Sequence, residues 1–258
     1  MSELLHISPL LQALLATLLT WGVTALGAAL VLFSRRTHPL VMDALLAFGA
    51  GVMLASSYFS LLAPAIDMAD ALHQPPWLIS AAGFLAGGLL LLASDAILRQ
   101  LPCAGKRRSI LLVSSITLHN IPEGMAIGVS FGALAAAASP AMLTSAWMLA
   151  IGIALQNFPE GAAVSLPLRR EGFSRRKAFC FGQLSGAVEP VAGVLGCLLA
   201  LQVQCLLPIL LAFAAGAMVT VVIAELIPES QRSARPGLMT LAALMGFSVM
   251  MILDVALG

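Results

Sequence analysis

Eight apolar runs, each long enough to cross a bilayer as a helix, dominate this chain of 258 residues. About 20 mostly apolar residues suffice for a transmembrane helix. The hydrocarbon core admits only helices or closed barrels, because every backbone polar group there must be bonded internally. We therefore predict an all-α integral membrane protein with one domain, residues 1–258, and eight transmembrane helices. The predicted spans are 8–33, 40–63, 77–98, 109–133, 143–168, 177–202, 206–228 and 238–257.

The scarcity of charge supports the membrane assignment. Only 10% of the residues are charged and 60% are hydrophobic, whereas a soluble domain carries about a quarter charged residues. The formal net charge is +1, so the composition gives no case for a nucleic acid as partner. The partner that this composition predicts is the lipid bilayer.

The positive charges fall in alternate loops. All thirteen Lys and Arg residues lie between spans one and two, three and four, five and six, or seven and eight. Loops that carry an excess of Lys and Arg stay on the cytoplasmic side. We therefore predict a multi-pass protein of the cell membrane (the inner or plasma membrane) with both termini outside.

Two related motifs interrupt the apolar pattern. His-Asn-Ile-Pro-Glu-Gly at 119–124, in span four, returns as Gln-Asn-Phe-Pro-Glu-Gly at 156–161, in span five. A charged side chain at the centre of a membrane helix costs about 2.5–3.5 kcal/mol, and an interior proline removes a helix hydrogen bond. We expect spans four and five to be kinked at Pro122 and Pro159. We also expect the two motifs to be the halves of one metal site.

The spacing inside each motif places its polar side chains close together on a helix. His119 and Glu123 are four residues apart, and Asn120 and Glu123 are three apart, which makes them neighbours on a helical surface. The second motif repeats this spacing with Gln156, Asn157 and Glu160.

A third membrane carboxylate, Glu189, precedes Pro190 in span six. No Lys or Arg lies in the interior of spans four, five and six, so a divalent cation is the natural counterion for the three carboxylates. Imidazole, carboxylate and amide donors favour Zn²⁺, Fe²⁺ or Mn²⁺ over an ion selected by thiolates. Met53 in span two is either an additional sulfur ligand or apolar filling. No prosthetic group is predicted.

Three more acids are candidates for an ion route or a proton relay. Asp67 is expected in the outer loop after span two, Glu225 in span seven, and Asp254 at the end of span eight. A purely structural role is an equal alternative for each of them.

A second internal similarity relates spans two and seven. Phe-Gly-Ala-Gly-Val-Met at 48–53 resembles Phe-Ala-Ala-Gly-Ala-Met at 213–218, and Leu-x-Pro follows both, at 62–64 and 226–228. The predicted orientations of the two spans are opposite, and similar sequences in opposite orientation indicate inverted repeats. We therefore predict that spans 1–3 and 6–8 are inverted repeats around spans four and five, with a site near the midplane.

These residues resemble the ZIP (Zrt/Irt-like protein) family of divalent-metal transporters. The resemblance covers the whole chain. It rests on eight spans, on the paired x-Asn-x-Pro-Glu-Gly motifs, on Ser-Gly-x-x-Glu-Pro at 185–190 and on Glu-Leu-Ile-Pro-Glu at 225–229. It implies a homodimer, a binuclear metal site and movement of metal into the cytoplasm.

The resemblance also implies a division of the ligands between two ion positions. The primary position would take His119, Glu123, Gln156, Glu160 and Met53. The adjacent position would take Asn120, Asn157 and Glu189, with Glu123 and Glu160 bridging both. Asp67 and Asp254 resemble the family's outer entrance.

Two departures from the family pattern matter. Many members carry His at the position of Gln156 and Asp at the position of Asn157, and the substitution of amides lowers the charge of the second ion position. Residues 99–108 contain no His, so the histidine-rich cytoplasmic loop common in the family is missing.

The combined prediction is a membrane carrier of divalent transition metals into the cytoplasm, with Zn²⁺ as the first candidate and Fe²⁺, Mn²⁺ and Cd²⁺ as further ones. A metal-gated or metal-selective channel or sensor shares every ligand with a carrier and stays open as an alternative. An intramembrane metalloprotease would need His-Glu-x-x-His or an equivalent pair of histidines on one helix. The four histidines of this chain, at 6, 38, 73 and 119, offer no such pair, so we predict that it is not an enzyme.

Overall fold

The computed structural model describes residues 7–33, 39–100, 107–134 and 139–257, and all regular structure in these ranges is helical. The prediction of an all-α chain is therefore confirmed. The described residues form eight helical columns, which we number in chain order. They are α1 (Pro9–Phe33), α2 (Pro39–Ala71), α3 (Pro76–Gln100), α4 (Arg107–Ala133), α5 (Pro140–Arg170), α6 (Arg175–Gln202), α7 (Leu207–Gln231) and α8 (Pro236–Leu257).

Seven of these columns in the described part of the chain are long and apolar enough to cross a membrane, by length and composition. A multi-pass membrane protein is therefore the architecture that the structure supports. The remaining column, α4, has 27 residues and carries the first polar motif. An eighth crossing by α4 stays a prediction.

Two columns contain a wide π-helical segment. In α2 this segment is Ser57–Leu62, and in α7 it is Val222–Leu226. Each ends at the leucine of a Leu-x-Pro sequence, and the proline falls in the first turn of the helix that follows. A proline is tolerated in a first turn because its missing N–H would have no helical partner there.

The continuation of α2 past its proline corrects the predicted outer loop. We expected span two to end at residue 63 and Asp67 to lie in the loop. Asp67 instead lies on the helical segment Ala63–Ala71 and is exposed. The π-helical segment absorbs the disturbance from Pro64, so the helix does not end.

Helix α6 is interrupted at Ala187, between the segments Arg175–Gly186 and Val188–Gln202. Pro190 has no N–H to donate to the carbonyl one turn earlier, which favours a break at this point. The interruption creates a second helix N-terminus within the column, and Glu189 lies in its first turn. The partial positive charge of a helix N-terminus stabilises a carboxylate at such a position.

The columns pack as two groups of four. Helices α1, α4, α5 and α6 contact one another and form what we call the site bundle. Helices α2, α3, α7 and α8 form the flanking bundle, in which α2 pairs with α8 and α3 with α7. The two bundles meet mainly where α2 packs on α5 and where α4 packs on α7.

Glycines allow the paired helices of the flanking bundle to touch through their backbones. A Cβ atom at Gly51 would lie 1.9 Å from the carbonyl oxygen of Ala243, and a Cβ at Gly246 would lie 2.0 Å from that of Phe48. Helices α3 and α7 cross in the same reciprocal way, through Gly87 and Gly216. Small residues at helix crossings are typical of packing in membranes.

The crossing at Gly51 gives a stability prediction with a matched control. Gly51→Ala is expected to lower the thermal unfolding midpoint in detergent, because the new methyl group overlaps the Ala243 carbonyl, and overpacking costs about 1–3 kcal/mol. Gly22→Ala is expected to leave the midpoint unchanged or raise it. A Cβ at Gly22 meets nothing within 4 Å, and alanine is about 1 kcal/mol better than glycine inside a helix. Equal midpoints for the two variants would contradict the packing described here.

Candidate metal centre

The two motifs lie where α4 and α5 are buried inside the site bundle. Helix α4 continues through Pro122 and α5 through Pro159. The described polar side chains of both motifs are at most 5% exposed in a chain whose surroundings are mostly apolar, so each needs a partner inside the protein. These side chains are Asn120, Glu123, Gln156, Asn157 and Glu160.

His119 belongs to α4, one helical turn before Glu123. Its side chain lies outside the described part of the structure. The helical spacing that we predicted for the pair is therefore observed in the backbone, and the role of the imidazole as a ligand stays a prediction.

One short hydrogen bond joins the two motifs. Gln156 on α5 donates from Nε2 to Oε1 of Glu123 on α4, at 2.5 Å. The other oxygens of this pair, Oε2 of Glu123 and Oε1 of Gln156, have no hydrogen-bond partner among the described residues. Oε2 of Glu160, on the next turn of α5, also has none there.

The two asparagines are held by their nitrogens. Asn120 Nδ2 donates to the carbonyl of Ser185 on α6 at 2.8 Å, and Asn157 Nδ2 donates to the carbonyl of Thr20 on α1 at 3.3 Å. Ser185 lies in the last turn before the interruption of α6, where carbonyls lack helical partners. Both asparagines keep an Oδ1 atom that no described residue bonds.

Ten buried side-chain oxygens have no hydrogen-bond partner among the described residues, and five of them belong to residues predicted as metal ligands. Buried polar atoms are almost always hydrogen-bonded, and an unpaired one costs about 1–3 kcal/mol. Carboxylate and amide oxygens suit a divalent cation. The five atoms are Asn120 Oδ1, Glu123 Oε2, Gln156 Oε1, Asn157 Oδ1 and Glu160 Oε2.

The donor set is mixed and does not consist of a carboxylate cluster. Among the described side chains, no three His, Cys, Asp or Glu residues come close enough together to hold a metal ion. An ion bound between the motifs would therefore depend on amide oxygens as well as on Glu123 and Glu160. Such ligands bind more weakly than carboxylate or imidazole, which suits an ion that must be released.

Glu189 differs from the other two membrane carboxylates because both of its oxygens have partners. Asn157 Nδ2 lies 2.9 Å from Oε1 and 3.0 Å from Oε2. The hydroxyl of Thr20 donates to Oε2, and the hydroxyl of Thr24 donates to Oε1 at 3.5 Å. Glu189 is fully buried, and these donors compensate for its lost hydration.

Sequence reasoning missed the contribution of α1 to this centre. Thr20 and Thr24 hold Glu189 through their hydroxyl groups, and the backbone of Thr20 also holds Asn157. The available signal was the series Thr17, Thr20, Thr24 at helical spacing in an otherwise apolar span. Such a series places hydroxyl groups along one face of a helix.

Met53 is fully buried on α2, in the neighbouring flanking bundle. Gly49, one turn earlier on the same face of α2, packs against α5: a Cβ there would lie 3.6 Å from the Cβ of Gln156. Met53 therefore lies on the face of α2 that meets the second motif. Its sulfur as a ligand stays a prediction.

The three additional acids have different surroundings. Ser60, in the π-helical segment of α2, donates to Asp254 Oδ1 at 2.8 Å. Glu225, in the π-helical segment of α7, lines a small cavity with Asp95, and this cavity reaches Leu118 beside the first motif. Asp67 is exposed on α2 and is not brought to the motifs. The structure thus brings Glu225 to a cavity beside the first motif, and among the described residues no hydrogen bond joins Asp67 or Asp254 to either motif.

Comparison with known proteins identifies the family of this chain. The model of the family described as ZIP zinc transporter matches residues 100–254, which include both motifs and Glu189. The chain belongs to the ZIP zinc transporter family. Membership of this family confirms the resemblance seen in the motifs and the prediction that the chain is a transporter and not an enzyme.

Individual ZIP relatives match nearly the full chain. Zinc transporter ZIP11 of Xenopus tropicalis is 40% identical over 332 aligned positions, which cover 97% of this chain and 98% of the relative. Zinc transporter ZIP11 of Homo sapiens is 38% identical, with the same coverage. Zinc transporter ZIPB of Bordetella bronchiseptica is 39% identical over 92% of this chain and 79% of its own length.

Proposed function

We propose that this ZIP chain carries divalent transition-metal ions, with Zn²⁺ as the principal substrate, through the cell membrane into the cytoplasm. The observation that carries the proposal is the set of five unsatisfied buried oxygens on the predicted ligand residues. The names of the relatives, all zinc transporters in the comparisons above, support zinc as the substrate.

The primary ion position lies between the two motifs. Its ligands are His119, Glu123, Gln156 and Glu160, with Met53 reaching in from α2. The two carboxylates neutralise one divalent ion, and residues 109–168 contain no Lys or Arg that would compete with it. A neutral assembly avoids most of the cost of a charge in the membrane, so the ion and the carboxylates stabilise each other.

The resemblance adds a second ion position beside the first. Its ligands would be Asn120, Asn157 and Glu189, with Glu123 and Glu160 shared between both ions. Oδ1 of each asparagine is unsatisfied among the described residues, which supports a role for these amides as ligands. Glu189, in contrast, already has partners for both oxygens.

Inverted repeats are part of the proposal, and the hydrogen bonds of the two asparagines support them. Asn120 bonds the backbone of Ser185, and Asn157 bonds that of Thr20. In the sequence, Thr20 and Ser185 are the same number of residues apart as Gly51 and Gly216. These two glycines lie at matching backbone crossings of α2 and α7. One constant offset in sequence therefore relates α1 to α6 and α2 to α7. In such a duplicated architecture the substrate lies at the interface of the repeats.

Transport follows if the two bundles move relative to each other. The ion is held mainly by the site bundle, and only Met53 comes from the flanking bundle. The positively charged loops give a cytoplasmic side and outward termini. In this orientation Asp67 and Asp254 lie toward the outer side and Glu225 toward the cytoplasm. Assembly as a homodimer completes the proposal.

Zinc uptake into proteoliposomes tests the proposed function. The reconstituted wild-type protein is expected to take up Zn²⁺ faster than protein-free liposomes, at a rate that saturates with zinc concentration because each transport cycle carries a bound ion. Uptake no faster than in protein-free liposomes would contradict a transport function. Fast uptake that rises linearly with concentration would instead favour the metal-selective channel. Competition by Fe²⁺, Mn²⁺ and Cd²⁺ in the same assay ranks the substrates.

A further inference from the structure

The surroundings of Glu189 bear on how many ions the centre can hold. Asn157 Nδ2 lies 2.9 Å and 3.0 Å from the two oxygens of this carboxylate. A zinc ion bound by the same oxygens would lie about 2.0–2.2 Å from them. The amide nitrogen and a metal ion would therefore compete for one place in front of Glu189.

The orientation of the Asn157 amide is determined by its neighbours. Its Nδ2 faces three acceptors, namely the two oxygens of Glu189 and the carbonyl of Thr20. With Glu189 ionised, the opposite orientation would place Oδ1 against these same three oxygens, without a hydrogen between them. Only the NH₂ group suits this place, because a side-chain amide oxygen cannot donate a hydrogen bond.

The balance of charge leads to the same expectation. Glu123, Glu160 and Glu189 are the three buried carboxylates of the centre, and two divalent ions would bring four positive charges against them. The remaining predicted ligands are neutral, so two ions would leave one positive charge in the membrane, where a charge is costly. One ion would leave one negative charge, that of Glu189, which its hydrogen-bond donors stabilise. A single ion at Glu123 and Glu160 leaves Glu189 to its amide and hydroxyl donors.

We propose that the side-chain amide of Asn157 takes the place of the second metal ion, so that each chain holds one divalent ion in this centre. The inference rests on the proposed function, because it concerns the same site. It revises the binuclear site that the resemblance implied.

The test is the number of zinc ions bound by the full-length chain in detergent. Equilibrium dialysis against saturating Zn²⁺ gives the total, and the Glu123→Gln/Glu160→Gln double variant, which lacks both shared carboxylates, gives the amount bound elsewhere. The difference is expected to be one ion per chain for the wild type and two for Asn157→Asp. Size-exclusion profiles verify that each variant is folded.

Each possible count has a defined meaning. Two ions in the wild type, or one in a folded Asn157→Asp protein, would overturn the inference. If Asn157→Asp does not fold, the wild-type count decides between one ion and two. No difference between the wild type and the double variant would contradict the proposed function itself.

Discussion

Replacing Glu123 with glutamine is expected to reduce zinc uptake by the reconstituted protein to the level of protein-free liposomes. The substitution keeps the shape of the side chain and removes its charge, so one carboxylate would have to balance a divalent ion within the bundle. Breaking a buried charge pair in this way costs about 3–5 kcal/mol, or roughly 10²- to 10⁴-fold in affinity. Glu160→Gln is expected to have the same effect, for the same reason.

The initial rate of zinc uptake measures this prediction, and Glu229→Gln provides the control. Glu229 is exposed and pairs with Arg232 at 2.8 Å, one turn along the last segment of α7. The same chemical change there is expected to leave uptake at the wild-type rate, because exposed ion pairs contribute little. Wild-type rates in folded Glu123→Gln and Glu160→Gln proteins would show that these carboxylates do not hold the transported ion.

Replacing Gln156 with lysine is expected to abolish zinc binding and zinc uptake and to leave the protein folded. Gln156 Nε2 already lies 2.5 Å from Glu123 Oε1, so a lysine ammonium group in its place would pair with the same carboxylate. The fixed cation would then supply the charge that the zinc ion supplies in the wild type. Uptake is expected to fall to the level of protein-free liposomes.

Thermal unfolding with and without zinc detects this replacement directly. A ligand that binds only the folded state at about 100 times its Kd adds about 2.7 kcal/mol of stability, so zinc is expected to raise the unfolding midpoint of the wild type. The midpoint of Gln156→Lys is expected not to respond. Gln202→Lys, at the exposed end of α6, should respond as the wild type does. A zinc-dependent rise in Gln156→Lys equal to that of the wild type would contradict the proposed site.

Much of the fold and the motif positions could be predicted from the sequence, because the relevant residues conflict with their local surroundings. Placing the carboxylates of Glu123, Glu160 and Glu189 in apolar spans costs free energy, which indicates that each has a function or a polar partner inside the protein. The spacing within a helix then fixes which of them share a face. Local rules were sufficient for this part of the interpretation.

The partners of these residues could not be predicted in the same way. Asn157 bonds Thr20 and Glu189, which belong to two other helices far away in the chain, so its role depends on how α1 and α6 pack beside α5. The continuation of α2 past Pro64 likewise depends on a π-helical segment, which the local pattern did not indicate. Tertiary contacts decided both features.

The two π-helical segments also affect how side chains are assigned to helix faces. A π turn contains more residues than the 3.6 of an α-helical turn. Every residue after Leu62 in α2, or after Leu226 in α7, is therefore rotated about the helix axis relative to an uninterrupted α-helix. A helical wheel drawn through either segment would put Asp67 or Glu229 on the wrong face. Cysteine pairs for cross-linking the part of α2 after Leu62, or the last turns of α7, must therefore be chosen from the observed positions of the residues that follow each π-helical segment.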